Sequence, residues 1–235
     1  MIEAKKSKWF SSLFHVYNKQ LLQKSFSNIY ISTSDIERNK PTLFIANHSS
    51  WWDGLICFHL SQTIIPYDCF AMMSEEGLQS YPFFKKLGGY SISLTSHKEL
   101  RSSLDYTNKL LQQKKAVWIF PQGEEQHLEK RPLTFQKGAA FIAKQLPELQ
   151  VVPVTFYYSF GHEPKPNLFI TIGSAIDNWR KDNVRQVTAF FEEKVTGQLE
   201  VQRHSVIHEQ TTDYSVLLNG FTSFAKHKAR RRTSS

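Results

Sequence analysis

The chain has 235 residues, enough for one sizeable domain and short for two. Its 14% aromatic content, with ordinary Gly and Pro usage, excludes a disordered or fibrous protein. A formal charge of +8 favours an anionic partner, whether a membrane surface, a nucleic acid or a phosphate-bearing cofactor, and no apolar run approaches the ~20 residues of a membrane-spanning helix.

Residues 1–8 are basic and no signal-peptide apolar core follows them, so synthesis in the cytosol is expected, with any membrane contact peripheral. Residues 9–26 carry Trp9, Phe10, Leu13, Phe14, Val16, Tyr17, Leu21, Leu22 and Phe26 at intervals near three and four, beside several lysines. They predict one or two basic amphipathic helices, lying either on a membrane or on the protein core. Residues 1–27 are therefore taken as an N-terminal helical segment, 28–225 as the main domain and 226–235 as a basic disordered tail.

Strands are predicted at 29–32, 42–46, 69–73 and 90–94, and a helix at 53–60 with Asp53 as its N-cap. Residues 75–86 read as a short helix and a loop, and 97–113 as an amphipathic helix. A buried strand at 116–120 ends at Pro121 and Gly123, and an Ala- and Phe-rich helix follows at 135–146. A strand at 151–158 contains Pro153, which argues for a sheet edge or an irregularity there. Another strand covers 167–172, and helices are predicted at 183–199 and 205–225. This alternation predicts a single α/β domain, a central mixed sheet flanked by helices. Cys57 and Cys69 sit among apolar residues outside any C-x-x-C pair and read as buried thiols in a reducing compartment.

The stretch Asn47-His48-Ser49-Ser50-Trp51-Trp52-Asp53 follows the apolar run at 43–46. Five residues rotate a helix by about 140°, and an odd separation puts side chains on opposite faces of a strand. His48 and Asp53 therefore meet only if the chain turns between them. Made at the end of a buried strand, such a pair is a candidate general base with its orienting carboxylate. A second strand end, Phe120-Pro121-Gln122-Gly123-Glu124-Glu125, forms a polar turn of the kind where ligands gather in α/β sheets.

Four blocks in order resemble the glycerolipid acyltransferase superfamily, which contains the 1-acylglycerol-3-phosphate acyltransferases. Asn47-His48-(four residues)-Asp53 looks like its first motif, and Lys86-Leu87-Gly88-Gly89-Tyr90-Ser91-Ile92 occupies the place of the second. Phe120-Pro121-Gln122-Gly123 resembles the third, usually Phe-Pro-Glu-Gly, and Val151-Val152-Pro153-Val154 the fourth. The resemblance implies an acyltransferase fold and transfer of an acyl group from acyl-CoA or an acyl carrier protein to a lipid hydroxyl. His48 would be the base and Asp53 its partner, at the cytoplasmic face of the cell membrane. No cofactor, metal or nucleic acid is implied; His59 and Asp68 do not complete a ligand set with His48. Backbone amides near Gly123 are expected to receive the oxyanion.

The chain departs from that pattern where the acceptor is read. Leu94 stands where the second motif commonly carries a phosphate-binding arginine. Gln122, Glu124 and Glu125 stand where Glu, Thr and Arg are usual. Two expectations follow. Asn47, Gln122, Gly123, Glu124 and Glu125 hold a hydroxyl-rich lipid such as a glycolipid, or Arg131, Lys130 or Lys137 moves in to bind the phosphate of lysophosphatidate. A lipid-binding protein without activity is the alternative class.

Overall fold

The protein is described here through a computed structural model covering residues 1–93 and 96–221. Leu94 and the tail at 226–235 lie outside the described residues. An eight-stranded mixed sheet runs through the described residues. In chain order the elements are α1 (Lys8–Ser25), β1 (Asn28–Thr33), β2 (Thr42–Ala46), α2 (Trp52–Thr63), β3 (Cys69–Ser74), α3 (Glu75–Ser80), α4 (Phe84–Leu87), β4 (Gly89–Ile92), α5 (His97–Gln112), β5 (Ala116–Ile119), α6 (Gly138–Gln145), β6 (Gln150–Ser159), β7 (Asn167–Ile172), α7 (Val184–Ile207) and β8 (Ser215–Asn219). Their spatial order in the sheet is β4-β3-β5-β2-β6-β7-β1-β8.

The five strands from β4 to β6 are mutually parallel, β7 runs antiparallel to β6, and β1 is parallel to β7. Every residue of β2 and β5 is buried, as continuous apolar runs require when helices cover both faces. Alternation assigns the faces. Leu43 and Ile45 pack with α5, α6 and α7, whereas Phe44 and Ala46 pack with α1 and α2. Because β2, β3 and β5 are adjacent and parallel, their C-terminal ends lie side by side. The loop from His48, the start of α3 and the 120–126 turn therefore share one edge of the sheet.

Three expectations about elements need correction. The helix after β2 begins at Trp52 with Trp51 in the N-cap position, so Asp53 lies inside the first turn and its carboxylate is left for other partners. The aromatic N-terminal stretch forms a single helix, α1, within the one or two expected. Pro153 is not on an edge strand, because β6 lies between β2 and β7. The Pro153 carbonyl accepts from the Gly173 N–H, beyond the last β7 pair at Val154–Ile172. Its nitrogen, which carries no hydrogen to donate, lies just outside that paired stretch. The C-terminal region also differs. α7 runs unbroken to Ile207 from a capping box of Asn183 and Gln186, and 215–219 is a strand, β8, antiparallel to β1. Within the predicted helix 205–225, only 205–207 are helical among the residues described.

Candidate active site

β2 ends at Ala46, and the chain turns through 47–51 before entering α2. That turn brings His48 Nδ1 to 2.9 Å from Asp53 Oδ2. The same oxygen accepts the backbone N–H groups of Ser49 (2.8 Å) and Ser50 (3.0 Å), and Oδ1 accepts the Tyr158 hydroxyl at 2.5 Å. Asp53 is fully buried, so four donors replace its lost hydration, and the N-terminal end of α2 adds a favourable dipole. With Nδ1–H directed at a carboxylate, the Nε2 lone pair of His48 is left for a proton from outside.

The second turn holds the first. The His48 N–H donates to Gln122 Oε1 (2.7 Å), and the Gln126 N–H donates to the His48 carbonyl (2.9 Å). Phe120 stacks on the imidazole at 4.2 Å between centroids. Backbone and ring of His48 are thereby fixed from the 120–126 turn while Asp53 fixes Nδ1. On the open side, Glu125 Oε1 stands 3.8 Å from His48 Nε2.

A cavity of about 840 Å³ opens beside His48. It follows one face of α2 through Trp51, Gly54, Cys57, Phe58, Ser61 and Gln62, with β3 opposite from Cys69 to Ser74. That face of α2 spans about 16 Å at ~1.5 Å per residue, a length suited to an extended hydrocarbon chain. The carboxylates of Glu75, Glu76, Glu124 and Glu125 line it at the C-terminal edge of the sheet. Among its described lining residues the only Lys or Arg is Lys6, at the opposite end. There it bonds Asp68 Oδ1 (2.5 Å) and the Cys69 carbonyl (2.8 Å). Cys57 and Cys69 are buried and unpaired. Burial pushes the Cys69 thiol up to about 11 and Cys57 well above its ordinary value, so neither is a ready nucleophile.

His48, Asp53, Gly123, Glu124 and Glu125 thus come together, while other expected binding residues do different work. Asn47 is buried and exchanges two hydrogen bonds with the Phe156 backbone, tying the end of β2 to β6. Gln122 is also buried; its carbonyl serves His48, and its amide donates to Gln126 Oε1 at 3.3 Å. Neither side chain is free to hold an acceptor. Arg131 is committed to Glu200 of α7 (2.5 Å) and to the Leu128 and Lys130 carbonyls. Lys137 is exposed between Gln136 and Gly138 and does not itself line the cavity. The Gly123 amide donates to the Phe120 carbonyl, which leaves the Glu124 and Glu125 amides without an intramolecular acceptor among the described residues. His59 and Asp68 lie apart from His48: His59 stacks on His15 of α1 at 5.4 Å, and Asp68 pairs with Lys6 and Lys115.

Tyr158 is the site residue that sequence reading missed. It closes the strand predicted at 151–158, where nothing marks its hydroxyl as different from that of Tyr157. Burial and the adjacent Asp53 charge push its phenol well above the ordinary value, so it remains a donor.

Comparison with known proteins decides the family. The model of a protein family described as Acyltransferase matches residues 15–157, more than half of the chain. The chain belongs to this acyltransferase family. The 1-acyl-sn-glycerol-3-phosphate acyltransferase of Saccharomyces cerevisiae is 34% identical over 124 residues, which span 49% of this chain and 38% of the yeast protein. In structure, this acyltransferase-family chain is similar to the 1-acyl-sn-glycerophosphate acyltransferase PlsC of Thermotoga maritima. The TM-score is 0.61 at 17% identity, covering 83% of this chain and 80% of that one. The shared fold is thus an α/β sheet with helices on both faces.

Proposed function

We propose that this chain is an O-acyltransferase that moves an acyl group from a thioester, acyl-CoA or an acyl carrier protein, to a hydroxyl of a lipid acceptor. The His48–Asp53 pair at the mouth of an apolar cavity carries this reading. The acceptor O–H gives its proton to His48 Nε2 as the oxygen attacks the thioester carbonyl. Asp53 stabilises the imidazolium that forms. The tetrahedral oxyanion is met by backbone amides, of which those of Glu124 and Glu125 are the candidates. Collapse breaks the C–S bond, and the departing thiolate recovers the proton from Nε2. The acyl chain lies along α2.

The acceptor in this reading bears no phosphate near the reacting hydroxyl. Four carboxylates lie on the side of the cavity where acceptor would enter, and the described lining residues bring no cation there. An anion would be repelled, whereas sugar or polyol hydroxyls would donate to Glu124 and Glu125. A second reading, lysophosphatidate as acceptor, is favoured by the likeness to the yeast and Thermotoga maritima 1-acylglycerol-phosphate acyltransferases. Incubating the purified protein and labelled acyl-CoA with a total lipid extract, and separately with lysophosphatidate, tests both. A labelled product from a neutral hydroxylated lipid is expected. Rapid acylation of lysophosphatidate, with no product from neutral lipid, would remove the first reading.

The same proposal has the protein resting on the cytoplasmic face of the membrane. Trp9, Leu13, Val16 and Tyr17 form an exposed stripe on α1, with Lys8, Lys19 and Lys24 beside it. Trp51 and Tyr81, also exposed, line the cavity. No described helix is long and apolar enough to cross a membrane.

A further inference from the structure

We infer that Tyr158 is a positioning residue for the reaction, setting both the orientation and the basicity of the Asp53 carboxylate that acts on His48. The inference rests on the acyl-transfer reading above and adds a third member to the pair.

The two oxygens of Asp53 have unequal work. Oδ2 accepts from His48 Nδ1, Ser49 N and Ser50 N, whereas among the described residues Oδ1 accepts from Tyr158 Oη alone, at 2.5 Å. Asp53 has no exposed surface, so solvent cannot take the place of that phenol. Without it, Oδ1 is a buried ionised oxygen lacking a donor, and the carboxylate loses one of its rotational restraints.

Tyr158 is itself held in place. It pairs with Leu168 in the β6–β7 ladder. Its ring lies 6.0 Å from Phe26, and Phe26 meets Trp52, the first residue of α2, at 5.3 Å. The phenol therefore reaches Asp53 from a strand on one side and the His48 loop from a helix on the other. Tyr158 does not line the cavity, so it touches neither acceptor nor acyl chain.

The chemical consequence has a sign. A hydrogen bond to Oδ1 draws charge from the carboxylate and makes it a weaker partner for the imidazolium of His48. Removing the hydroxyl makes the carboxylate more basic, favours protonated His48 and moves the acid limb of the pH profile upward. A more acidic phenol moves the limb downward.

The test measures kcat, KM and the pH profile of acyl transfer for wild type, Tyr158→Phe, and a protein carrying 3-fluorotyrosine at 158. His48→Ala is run beside them. For Tyr158→Phe, kcat is expected to fall about 10- to 100-fold, the cost of one charge-assisted hydrogen bond, with KM unchanged. Its acid limb should rise by about half to one unit. The fluorinated protein, whose phenol is retained, should keep a near-normal kcat with its limb displaced the other way. Unchanged kcat and limb in Tyr158→Phe, with His48→Ala inactive, overturns the role of Tyr158 alone. So does an unshifted limb in the fluorinated protein. Activity surviving in His48→Ala overturns the parent reading instead.

Discussion

Exchanging Glu124 and Glu125 for Thr and Arg restores the residues usual in the third motif, and its effect on the acceptor can be sized from the site. Glu125 Oε1 lies 3.8 Å from His48 Nε2, the atom that must approach the attacking hydroxyl. In lysophosphatidate the phosphate is one carbon along from that hydroxyl, so its charge is treated as lying roughly 6 Å from the Glu125 carboxylate. At an effective dielectric of about 20 to 80, a pair of unit charges at that distance interacts by about 1–3 kcal/mol. Glu125 is half exposed, so the lower part of that range applies. Reversal to arginine changes the sign as well as removing the repulsion. The KM for lysophosphatidate should fall roughly ten- to a hundredfold in the double variant. The KM for a neutral glycosylated lipid should stay level or rise. Initial-rate assays with both acceptors and one acyl-CoA measure this. A wild-type enzyme that already uses lysophosphatidate at micromolar KM, and is unmoved by the exchange, would refute the electrostatic reasoning.

Stability is expected to fall with acidity through His59. Burial first, and then His15 and Lys19, push this histidine down to about 4. The unfolded chain takes up its proton near pH ~6.5. The contribution is therefore complete above that pH and is lost on descent to about 4, by roughly 3 kcal/mol. Urea unfolding of wild type and His59→Leu at pH 7 and pH 4.5 checks it, since the variant should lose less between the two. Trp9→Ala combined with Leu13→Ala should reduce pelleting with anionic vesicles several-fold at low salt and leave Tm unchanged, because both side chains are more than half exposed. An undiminished fraction pelleted would separate α1 from the membrane. Gly88 has φ +109°, and an added Cβ would meet the Cys69 carbonyl at 2.9 Å. Gly88→Ala should cost about 1–3 kcal/mol in chemical denaturation, and a neutral change would contradict that close approach.

What was legible in the chain follows from how local each signal is. The runs 42–46 and 116–119 are apolar throughout because both faces of those strands are covered, and they read as buried strands without further context. The His48–Asp53 meeting was legible because five residues permit it only through a turn. Tertiary partners hid the rest. Asn47, Gln122 and Arg131 are polar residues beside a site, and nothing local says that Phe156, His48 and Glu200 have already taken them. Pro153 points to an edge or an irregularity, and β6 alone does not show that the proline lies just outside the β7 pairing. The apolar residues at 216–218 fit a helix by local pattern, yet the strand that holds them pairs with β1, from the other end of the domain. Tyr158 reaches Asp53 across 105 positions, a distance no periodicity spans.

The proton acceptor is the centre of this account, and one comparison reaches it directly. Acyl transfer from a labelled acyl thioester to the best lipid acceptor should be measured for wild type and for His48→Ala under identical conditions, with circular dichroism on both proteins. The account predicts equal folding and a loss of at least about a thousandfold in rate, since the general base and its fixed geometry vanish together. Transfer that persists in His48→Ala within a few-fold of wild type would contradict it.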